Sequence, residues 1–265
     1  ILKSCSLGER QIRSVKACTM DEYSDSPDVI FVCVKFYSLE ETVPFLRRAA
    51  TKNTLVIPIL NVFGTGGILE KSCPVPVILD GCIYIYSMIE APGIVIQPRP
   101  IFRVFFGYRK GQPRRLETLA AQVERDLCGA GIDAAFTDEI QKEALTKFSY
   151  VSPIGAAGIY LNETGGAFKH SGEAQDLFLT LVHEIEELGH AMGITFDEDL
   201  GERNLKILDG LDDDSTTSMQ RDVQYGGPSE MDGLVHRIVR LADEYGLELP
   251  AYRKISSWAK ERGLL

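Results

Sequence analysis

The sequence lacks several features that would mark whole classes of protein. No apolar run approaches the roughly 18 residues of a membrane-spanning helix, and no basic segment followed by an apolar one marks a signal peptide. Lysine and arginine together number 28 against 38 acidic residues, which gives a formal net charge of -10. Nucleic acids and anionic membranes bind basic surfaces, so neither is an expected partner.

The cysteines include no C-x-x-C pair. All six lie in the first half of the chain, at Cys5, Cys18, Cys33, Cys73, Cys82 and Cys128. This clustering leaves a disulfide framework as one interpretation. A chain of 265 residues, 45% of them hydrophobic, can bury large cores and rarely needs such a framework. We therefore expect reduced thiols and a cytoplasmic location.

The first half of the chain alternates between apolar runs and amphipathic segments. Buried-type strands are predicted at 29–34 and 55–60, and shorter ones at 77–79, 94–96, 104–106 and 132–136, with helices at 39–50 and 116–127. This alternation predicts an α/β domain, over 1–137, built on a parallel, doubly wound sheet.

The second half reads as helices alone. They are predicted near 138–160, 171–192, 199–210, 216–223, 228–245 and 252–263. We therefore expect a second, helical domain over 138–265, with the active cleft between the two domains.

Two polar residues follow the two long apolar runs. Lys35 follows the run 29–34, and Asn61 follows 55–60 and precedes the glycine-rich segment 64–67. Ligands of open α/β sheets bind beyond the carboxyl ends of the strands, so a functional Lys35 or Asn61 would face a ligand crevice. Turn chemistry also explains Asn61, and a solvated strand end also explains Lys35.

Two charged residues on the predicted helices could take part in acid–base chemistry. Burial lowers the pKa of a lysine ammonium group, so a partly buried Lys147 could donate a proton near neutral pH. Glu143, four residues earlier, offers a surface ion pair as the alternative. Glu230 lies in the first turn of a predicted helix, where the helix dipole alone favours a carboxylate.

A third group of residues contains side chains of the types that bind metal ions. His183, Glu187 and His190 share one face of a predicted helix. The zinc-binding pattern H-E-x-x-H requires histidine at position 187, where this chain has glutamate. We therefore expect an exposed acidic helix face and no metal.

These residues together resemble the ketopantoate reductase (2-dehydropantoate 2-reductase) family over nearly the whole chain. The segment 32–35, Val-Cys-Val-Lys, is similar to the family's strand that ends in a cofactor-contacting lysine. The segment 61–64, Asn-Val-Phe-Gly, is similar to its N-G-M-G turn. Lys147 matches the lysine of its W-x-K motif, with Leu145 at the tryptophan position.

The most specific part of the resemblance lies near the C-terminal end. Residues 218–222 and 229–232 are similar to the family's S-M-x-Q-D and T-E-I-D segments, with Arg221 as an extra residue between Gln220 and Asp222. Twelve positions separate Ser218 from Glu230.

The resemblance implies a Rossmann-like, dinucleotide-binding domain and a helical substrate domain. It implies NADPH-dependent reduction of a small 2-keto acid, 2-dehydropantoate to pantoate, in pantothenate biosynthesis. Lys147 would be the general acid, and Glu230 would hold Lys147 or a substrate hydroxyl. Lys35 and Asn61 would contact NADP, and Asn61 and Ser218 the substrate. An alkoxide that forms beside an ammonium group is stabilised where water is excluded, so the implied chemistry is sound.

Two departures from the family pattern keep other functions open. Val151 and Gly155 stand where the family places substrate-contacting asparagines, so another 2-oxo or 2-hydroxy acid is an alternative substrate. The phosphate-binding motif G-x-G-x-x-G is absent, and segment 64–67 follows a later strand and cannot replace it. We therefore expect that the first strand-loop-helix unit precedes the given sequence; a non-catalytic relative is the other interpretation. The oligomeric state is open, with a homodimer as one option.

Overall fold

The computed structural model of the protein describes residues 1–11, 13 and 15–264, and it divides into two units. The first unit contains residues 1–33, 40–60 and 65–140, and the second contains 34–39, 61–64 and the chain from Gln141 on. The boundary predicted at residue 137 lies three residues before the end of the first unit. The short segments 34–39 and 61–64, which follow strands of the first unit, belong to the helical unit.

The first unit contains the strands. Their bounds are β1 Leu2–Ser4, β2 Gly8–Arg10, β3 Val29–Val32, β4 Leu55–Pro58, β5 Val77–Ile78, β6 Asp80–Ile85, β7 Met88–Ala91, β8 Ile94–Gln97, β9 Phe102–Gly107 and β10 Asp133–Phe136. They form sheets in the orders β3-β4-β5, β10-β9-β6 and β2-β1-β8-β7. The helices of this unit are α1 Val43–Ala49, α2 Thr65–Ser72 and α3 Glu117–Gly129.

The pairing of the strands only partly matches the expected parallel sheet. Strands β3, β4 and β5 are parallel, as are β9 and β10 and the pair β1 and β8. Strands β6 and β7, however, pair antiparallel with β9 and β8. Both were missed in the sequence because neither is a continuous apolar run: β6 begins with Asp80 and Gly81, and the residues of β7 are mostly exposed.

Apolar side chains of the strands and of α3 form the core of the first unit. The cluster comprises Leu55, Ile57, Val77, Leu79, Val104, Phe106, Tyr108, Ala120, Val123 and Ala134. Leu55, Val56 and Ile57 are all fully buried. Because successive side chains of a strand point to opposite faces of the sheet, β4 is covered on both faces. This burial explains the continuous apolar run that identified β4 in the sequence.

The second unit is helical, as predicted. Its helices are α4 Ile140–Leu161, which begins in the first unit, α5 Gly165–Phe168, α6 Glu173–Ala191, α7 Leu200–Asp209, α8 Ser218–Gln224, α9 Arg237–Tyr245 and α10 Pro250–Glu261. The segment predicted as one helix over 228–245 begins later, at Met231, and a π-helical stretch, Asp232–His236, precedes α9. Gly193 and Gly246 have positive φ angles of 76° and 70° just past α6 and α9, where a helix commonly ends on glycine.

Helix α6 shows how the sequence pattern builds the core of the second unit. Phe178, Leu181, Val182, Ile185 and Leu188 recur at helical spacing and are all fully buried. No helix in the described ranges has the length and apolarity that crossing a membrane requires. The six cysteines all fall within those ranges, and none forms a disulfide.

Helix α4 contains a proline that shapes its surroundings. Pro153 lies inside the helix and has no N–H, so the carbonyl of Ser149, four residues earlier, loses its helical donor. Asn204 of α7, itself fully buried, donates from Nδ2 to that carbonyl oxygen at 3.0 Å and to Ser149 Oγ at 3.0 Å. The neighbouring helix thus satisfies a buried polar group that the proline leaves open.

Replacing Asn204 by alanine is therefore expected to destabilise the protein. The buried Ser149 carbonyl would lose its partner, which costs about 1–3 kcal/mol of unfolding free energy. Urea denaturation followed by circular dichroism measures the change. Asn53→Ala, at an exposed position, is the control and should alter stability by less than about 0.5 kcal/mol. Equal midpoints for the Asn204 and Asn53 variants would show that the Asn204 hydrogen bonds contribute nothing.

Candidate functional site

Glu230 is a buried carboxylate held by two donors. Its side chain is 2% exposed; it accepts a hydrogen bond from Lys35 Nζ at 3.1 Å and one from the backbone N–H of Phe36 at 3.2 Å. A carboxylate removed from water is costly unless it is paired, so these donors account for its burial. Glu230 immediately precedes the helical segment at 231, and its own carbonyl accepts from the N–H of Leu234.

Lys35 lies between two carboxylates. Its Nζ is 3.5 Å from Asp222 Oδ2 in addition to the contact with Glu230. Partial burial lowers the pKa of Lys35, but the attraction and hydrogen bonds of Glu230 and Asp222 outweigh it, so the net pKa is raised above the ordinary value. Lys35 therefore stays a cation at neutral pH, which suits it to binding and not to proton donation.

Lys147 and Asn61 form a second polar pair. Lys147 is 7% exposed and donates from Nζ to Asn61 Oδ1 at 2.6 Å. Asn61 comes three residues after the end of β4, and Lys147 lies in the second turn of α4. Because Oδ1 accepts from Lys147, the Nδ2 group of Asn61 is left to donate to a ligand.

A tight contact joins the segments that carry the two polar pairs. A Cβ atom added to Gly233 would lie 2.4 Å from Val62 Cγ2 and 2.8 Å from the ring of Phe36. Phe36 follows Lys35, Val62 follows Asn61, and Gly233 comes three residues after Glu230. The absence of a side chain at Gly233 therefore allows the three segments that bear Lys35, Asn61 and Glu230 to meet.

Further contacts hold the segment 61–64 against the helices. Arg237 Nε donates to the carbonyl oxygen of Phe63 at 2.9 Å. The ring of Phe63 meets the ring of Phe148, next to Lys147, edge-on with centroids 6.4 Å apart. These contacts fix the backbone that carries Asn61.

The structure brings four of the five predicted site residues into two pairs, Lys147 with Asn61 and Lys35 with Glu230. Lys35 and Asn61 follow β3 and β4, which are adjacent and parallel. The fifth residue, Ser218, is half-buried at the first position of α8, and no hydrogen bond described here joins it to the other four.

Several residues that complete the site were not predicted from the sequence. Asp222 lies within the sequence signature but was not assigned a role there. Phe36, Gly233 and Arg237 carry no motif, so nothing in the sequence would have pointed to them. Gly233 acts through packing, and Phe36 and Arg237 donate hydrogen bonds, to Glu230 and to Phe63. These contacts become visible only when distant segments meet.

The two histidines of α6 that were considered as metal ligands contact other side chains. His183 Nδ1 is 2.9 Å from Glu186 Oε2, and the ring of His190 packs against Phe196. Within the described ranges no group of three or more His, Cys, Asp or Glu side chains could hold a metal ion.

The glycine-rich start of α2, in the first unit, is already occupied by a carboxylate of the protein. The buried carboxylate of Asp80 accepts hydrogen bonds from the backbone N–H groups of Gly66 and Gly67 and from Arg109 Nη1, the last at 3.1 Å. Burial raises the pKa of Asp80 above its ordinary value, although Arg109 and the two N–H groups oppose the shift. A protein carboxylate thus already occupies the place where a helix N-terminus would bind a phosphate.

Known proteins resemble this chain over most of its length. The 2-dehydropantoate 2-reductase of Halobacterium salinarum is 21% identical over 86% of this chain and 74% of its own. A dimeric ketopantoate reductase from Staphylococcus aureus has a TM-score of 0.82 at 22% identity, over 98% of this chain and 85% of that one. A ternary structure of D-mandelate dehydrogenase with NADH and anilino(oxo)acetate has a TM-score of 0.84 at 21% identity, over 99% and 85%.

Two family profiles match consecutive parts of the sequence. The profile described as "Ketopantoate reductase PanE/ApbA" matches residues 1–111, and the one described as "Ketopantoate reductase PanE/ApbA C terminal" matches residues 139–262. The two matches leave residues 112–138 and 263–265 uncovered. This chain therefore belongs to the ketopantoate reductase family of oxidoreductases.

Proposed function

We propose that this protein reduces the carbonyl group of a small 2-keto acid with NADPH, in the cytoplasm. The observation that carries the proposal is the pair formed by Lys147 and Asn61. A nearly buried lysine, whose ammonium group is oriented by an amide oxygen at 2.6 Å, is the arrangement that a general acid for carbonyl reduction requires. In a family of oxidoreductases, this is the group that we assign to proton donation.

Lys147 holds the proton that the substrate oxygen receives. When bound, the nicotinamide supplies a hydride to the carbonyl carbon, and negative charge develops on the oxygen. The ammonium group of Lys147 stabilises that charge and transfers a proton from Nζ, which leaves a neutral amine and a hydroxyl group. Asn61 keeps Nζ in place through Oδ1.

The charged pair of Lys35 and Glu230 has a binding role in this proposal. Lys35 and the Nδ2 group of Asn61 supply N–H donors after adjacent strands, which fits the amide, hydroxyl and phosphate acceptors of a dinucleotide. Glu230 fixes Lys35 and is the acceptor for a hydroxyl group of the ligand. Ser218 is assigned to the substrate on the family resemblance.

The identity of the cofactor can be tested separately from that of the substrate. A D-mandelate dehydrogenase of this fold was solved with NADH, so NADH is the alternative cofactor. We propose that NADPH is the cofactor. An absorbance assay that compares the rate of NADPH oxidation with that of NADH oxidation, over a panel of 2-keto acids, tests both the cofactor and the reaction. Light scattering tests the homodimer that we include in the proposal.

Two kinds of substrate are supported by different observations. The first candidate substrate is 2-dehydropantoate, which would place the protein in pantothenate biosynthesis. It is supported by relatives that are named 2-dehydropantoate 2-reductase. A different 2-oxo acid is the second candidate, because Val151 and Gly155 follow Lys147 by one and two helical turns and offer no hydrogen-bonding side chain.

Replacing Lys147 by alanine is expected to reduce turnover by roughly two to four orders of magnitude, the usual loss for a general acid. The loss should appear in kcat of the reductase assay, with the circular dichroism spectrum unchanged. Glu143→Ala, one helical turn earlier on α4, is the matched control and should leave kcat within about twofold, because no described hydrogen bond or ion pair joins the half-buried Glu143 to the site. Near-normal kcat in the Lys147 variant would end the assignment.

Glu230→Gln keeps the shape of the side chain but removes the charge that binds Lys35. Loss of a charge-assisted hydrogen bond costs about 1.5–3 kcal/mol, so kcat/KM should fall roughly ten- to hundredfold. Asp232→Asn is the control: its partner Arg240 and Asp232 are both about half exposed, at 50% and 46%, and the change should be small. Equal kcat/KM values for the two variants would contradict a role for Glu230 in the site.

A further inference from the structure

A π-helical stretch follows Glu230 closely. It comprises Asp232–His236 and contains Gly233, whose missing side chain makes room for Val62 and Phe36. A π-helical hydrogen bond spans five residues where an α-helical one spans four, and such stretches are rare. One residue corresponds to about 100° of rotation in an α-helix, so regular α geometry over this stretch would turn the backbone at Glu230 about the helix axis. The direction of the Glu230 side chain therefore depends on the contacts that hold the π-helical stretch.

Two buried hydroxyl groups hold the middle of that stretch. Ser152 of α4 donates from Oγ to the carbonyl oxygen of Leu234 at 2.5 Å. The hydroxyl oxygen of Tyr252, on α10, is 2.6 Å from Ser152 Oγ. Because the hydrogen of Ser152 Oγ is already given to a carbonyl, Tyr252 is the donor of this second hydrogen bond. Both side chains are fully buried, and burial raises the pKa of Tyr252, so its hydroxyl keeps its proton at neutral pH.

Leu234 connects the two hydroxyl groups with Glu230. Its carbonyl oxygen accepts from Ser152, and its backbone N–H donates to the carbonyl oxygen of Glu230 at 2.8 Å. The side chain of Glu230 in turn accepts from Lys35 Nζ at 3.1 Å. All of these residues belong to the second unit. A continuous series of contacts therefore leads from Tyr252 to the cation that we assign to cofactor binding.

Helix α10 also holds the end of the π-helical stretch. Ser256 comes four residues after Tyr252, on the same face of α10, and its Oγ is 2.7 Å from His236 Nδ1. His236 is the last residue of the stretch and is 3% exposed, and its Nε2 donates to the carbonyl oxygen of Leu264 at 3.0 Å. Two side chains of α10, one turn apart, thus hold the stretch at Leu234 and at His236.

A buried carboxylate fixes the position of α10 itself. Glu184 of α6 is 5% exposed, and it accepts from the backbone N–H groups of Ala251 at 2.7 Å and of Tyr252 at 2.9 Å. These N–H groups lie in the first turn of α10, where they have no helical acceptor. A shift of α10 along its axis would leave the carboxylate buried and unpaired, which is costly. The hydroxyl group of Tyr252 is therefore held in place by its own backbone.

We propose that the hydroxyl groups of Tyr252 and Ser152 are positioning groups for the cofactor: through Leu234 they hold Glu230, and hence Lys35, in the arrangement that binds the dinucleotide. This inference rests on the proposed function, in which Lys35 and Glu230 bind the cofactor. The opposing explanation is that the two hydroxyl groups only stabilise the fold. It predicts a lower free energy of unfolding on their removal, with unchanged nucleotide binding by the folded protein.

Tyr252→Phe tests the inference, because it removes one hydroxyl group and keeps the ring. Fluorescence titration of the folded protein with NADPH gives the Kd, which is expected to rise roughly three- to tenfold, the effect of one neutral hydrogen bond. An unchanged Kd in this variant would overturn the positioning role.

Tyr108→Phe is the matched control for this titration. Tyr108 is 4% exposed, and its hydroxyl oxygen accepts from the backbone N–H of Leu116 at 3.1 Å in the first unit. The same substitution there removes a buried hydrogen bond without touching the π-helical stretch. The Kd for NADPH should stay within about twofold of the wild-type value, and an equal rise in both tyrosine variants would show that any loss of stability weakens binding.

A double-mutant cycle with Glu230→Gln tests whether Tyr252 acts through Glu230. If it does, Tyr252→Phe should change the Kd for NADPH by less than about twofold once Glu230 has lost its charge, because coupled positions are not additive. A purely structural role gives no such coupling. The full three- to tenfold rise in the Glu230→Gln protein would therefore refute the inference.

The failure of the proposed function would look different. If the wild-type protein, shown to be folded by its melting curve, bound neither NADPH nor NADH, the cofactor assignment of Lys35 and Glu230 would be wrong. The positioning role would fall with it. Binding by the wild-type protein together with an unchanged Kd in Tyr252→Phe would refute the positioning role alone.

Discussion

A hydrogen bond of 2.6 Å between Lys147 Nζ and Asn61 Oδ1 connects a long helix with a four-residue loop that follows a strand. Lys147 is 7% exposed, and a buried cation is stable only where acceptors are fixed around it. The position of Asn61 therefore fixes the position of Lys147 Nζ, the proton donor of the proposed reaction. Arg237 holds that loop through the carbonyl oxygen of Phe63, and Asn204 holds the helix that carries Lys147.

Packing provides this support more than charge does. Gly233 leaves room for Val62 and Phe36, and the same glycine lies in the π-helical stretch that follows Glu230. Stretches of π-helix recur at functional sites because they change the direction of nearby side chains. On the other side, Asn204 satisfies the carbonyl that Pro153 leaves open, so α4 remains regular across the turns that carry Lys147 and Val151.

The sequence predicted the elements that follow a simple period and the residues that belong to motifs. Continuous apolar runs identified β3 and β4, and helical spacing identified α6. Lys35, Asn61, Lys147 and Glu230 were all named, but one expectation paired Glu230 with Lys147, whereas the structure joins Glu230 to Lys35 and Lys147 to Asn61. Which of these residues meet depends on the tertiary fold. The antiparallel strands β6 and β7 were missed since one begins with a buried aspartate and the other is largely exposed. Gly233 leaves the space that Val62 and Phe36 need, and Met219 fills the space beside Gly155. No local sequence pattern indicates such contacts.

A double-mutant cycle on Lys147 and Asn61 tests the central claim most directly. If Asn61 acts on the proton donor by orienting Lys147, adding Asn61→Ala to Lys147→Ala should cause little further loss of kcat, whereas the loss of the ligand-binding Nδ2 group should appear in KM. The coupling energy between the two positions should then exceed about 1 kcal/mol, as it does for residues in direct contact. Strictly multiplicative losses, which correspond to a coupling energy near zero, would show that the two side chains act independently and would contradict the account.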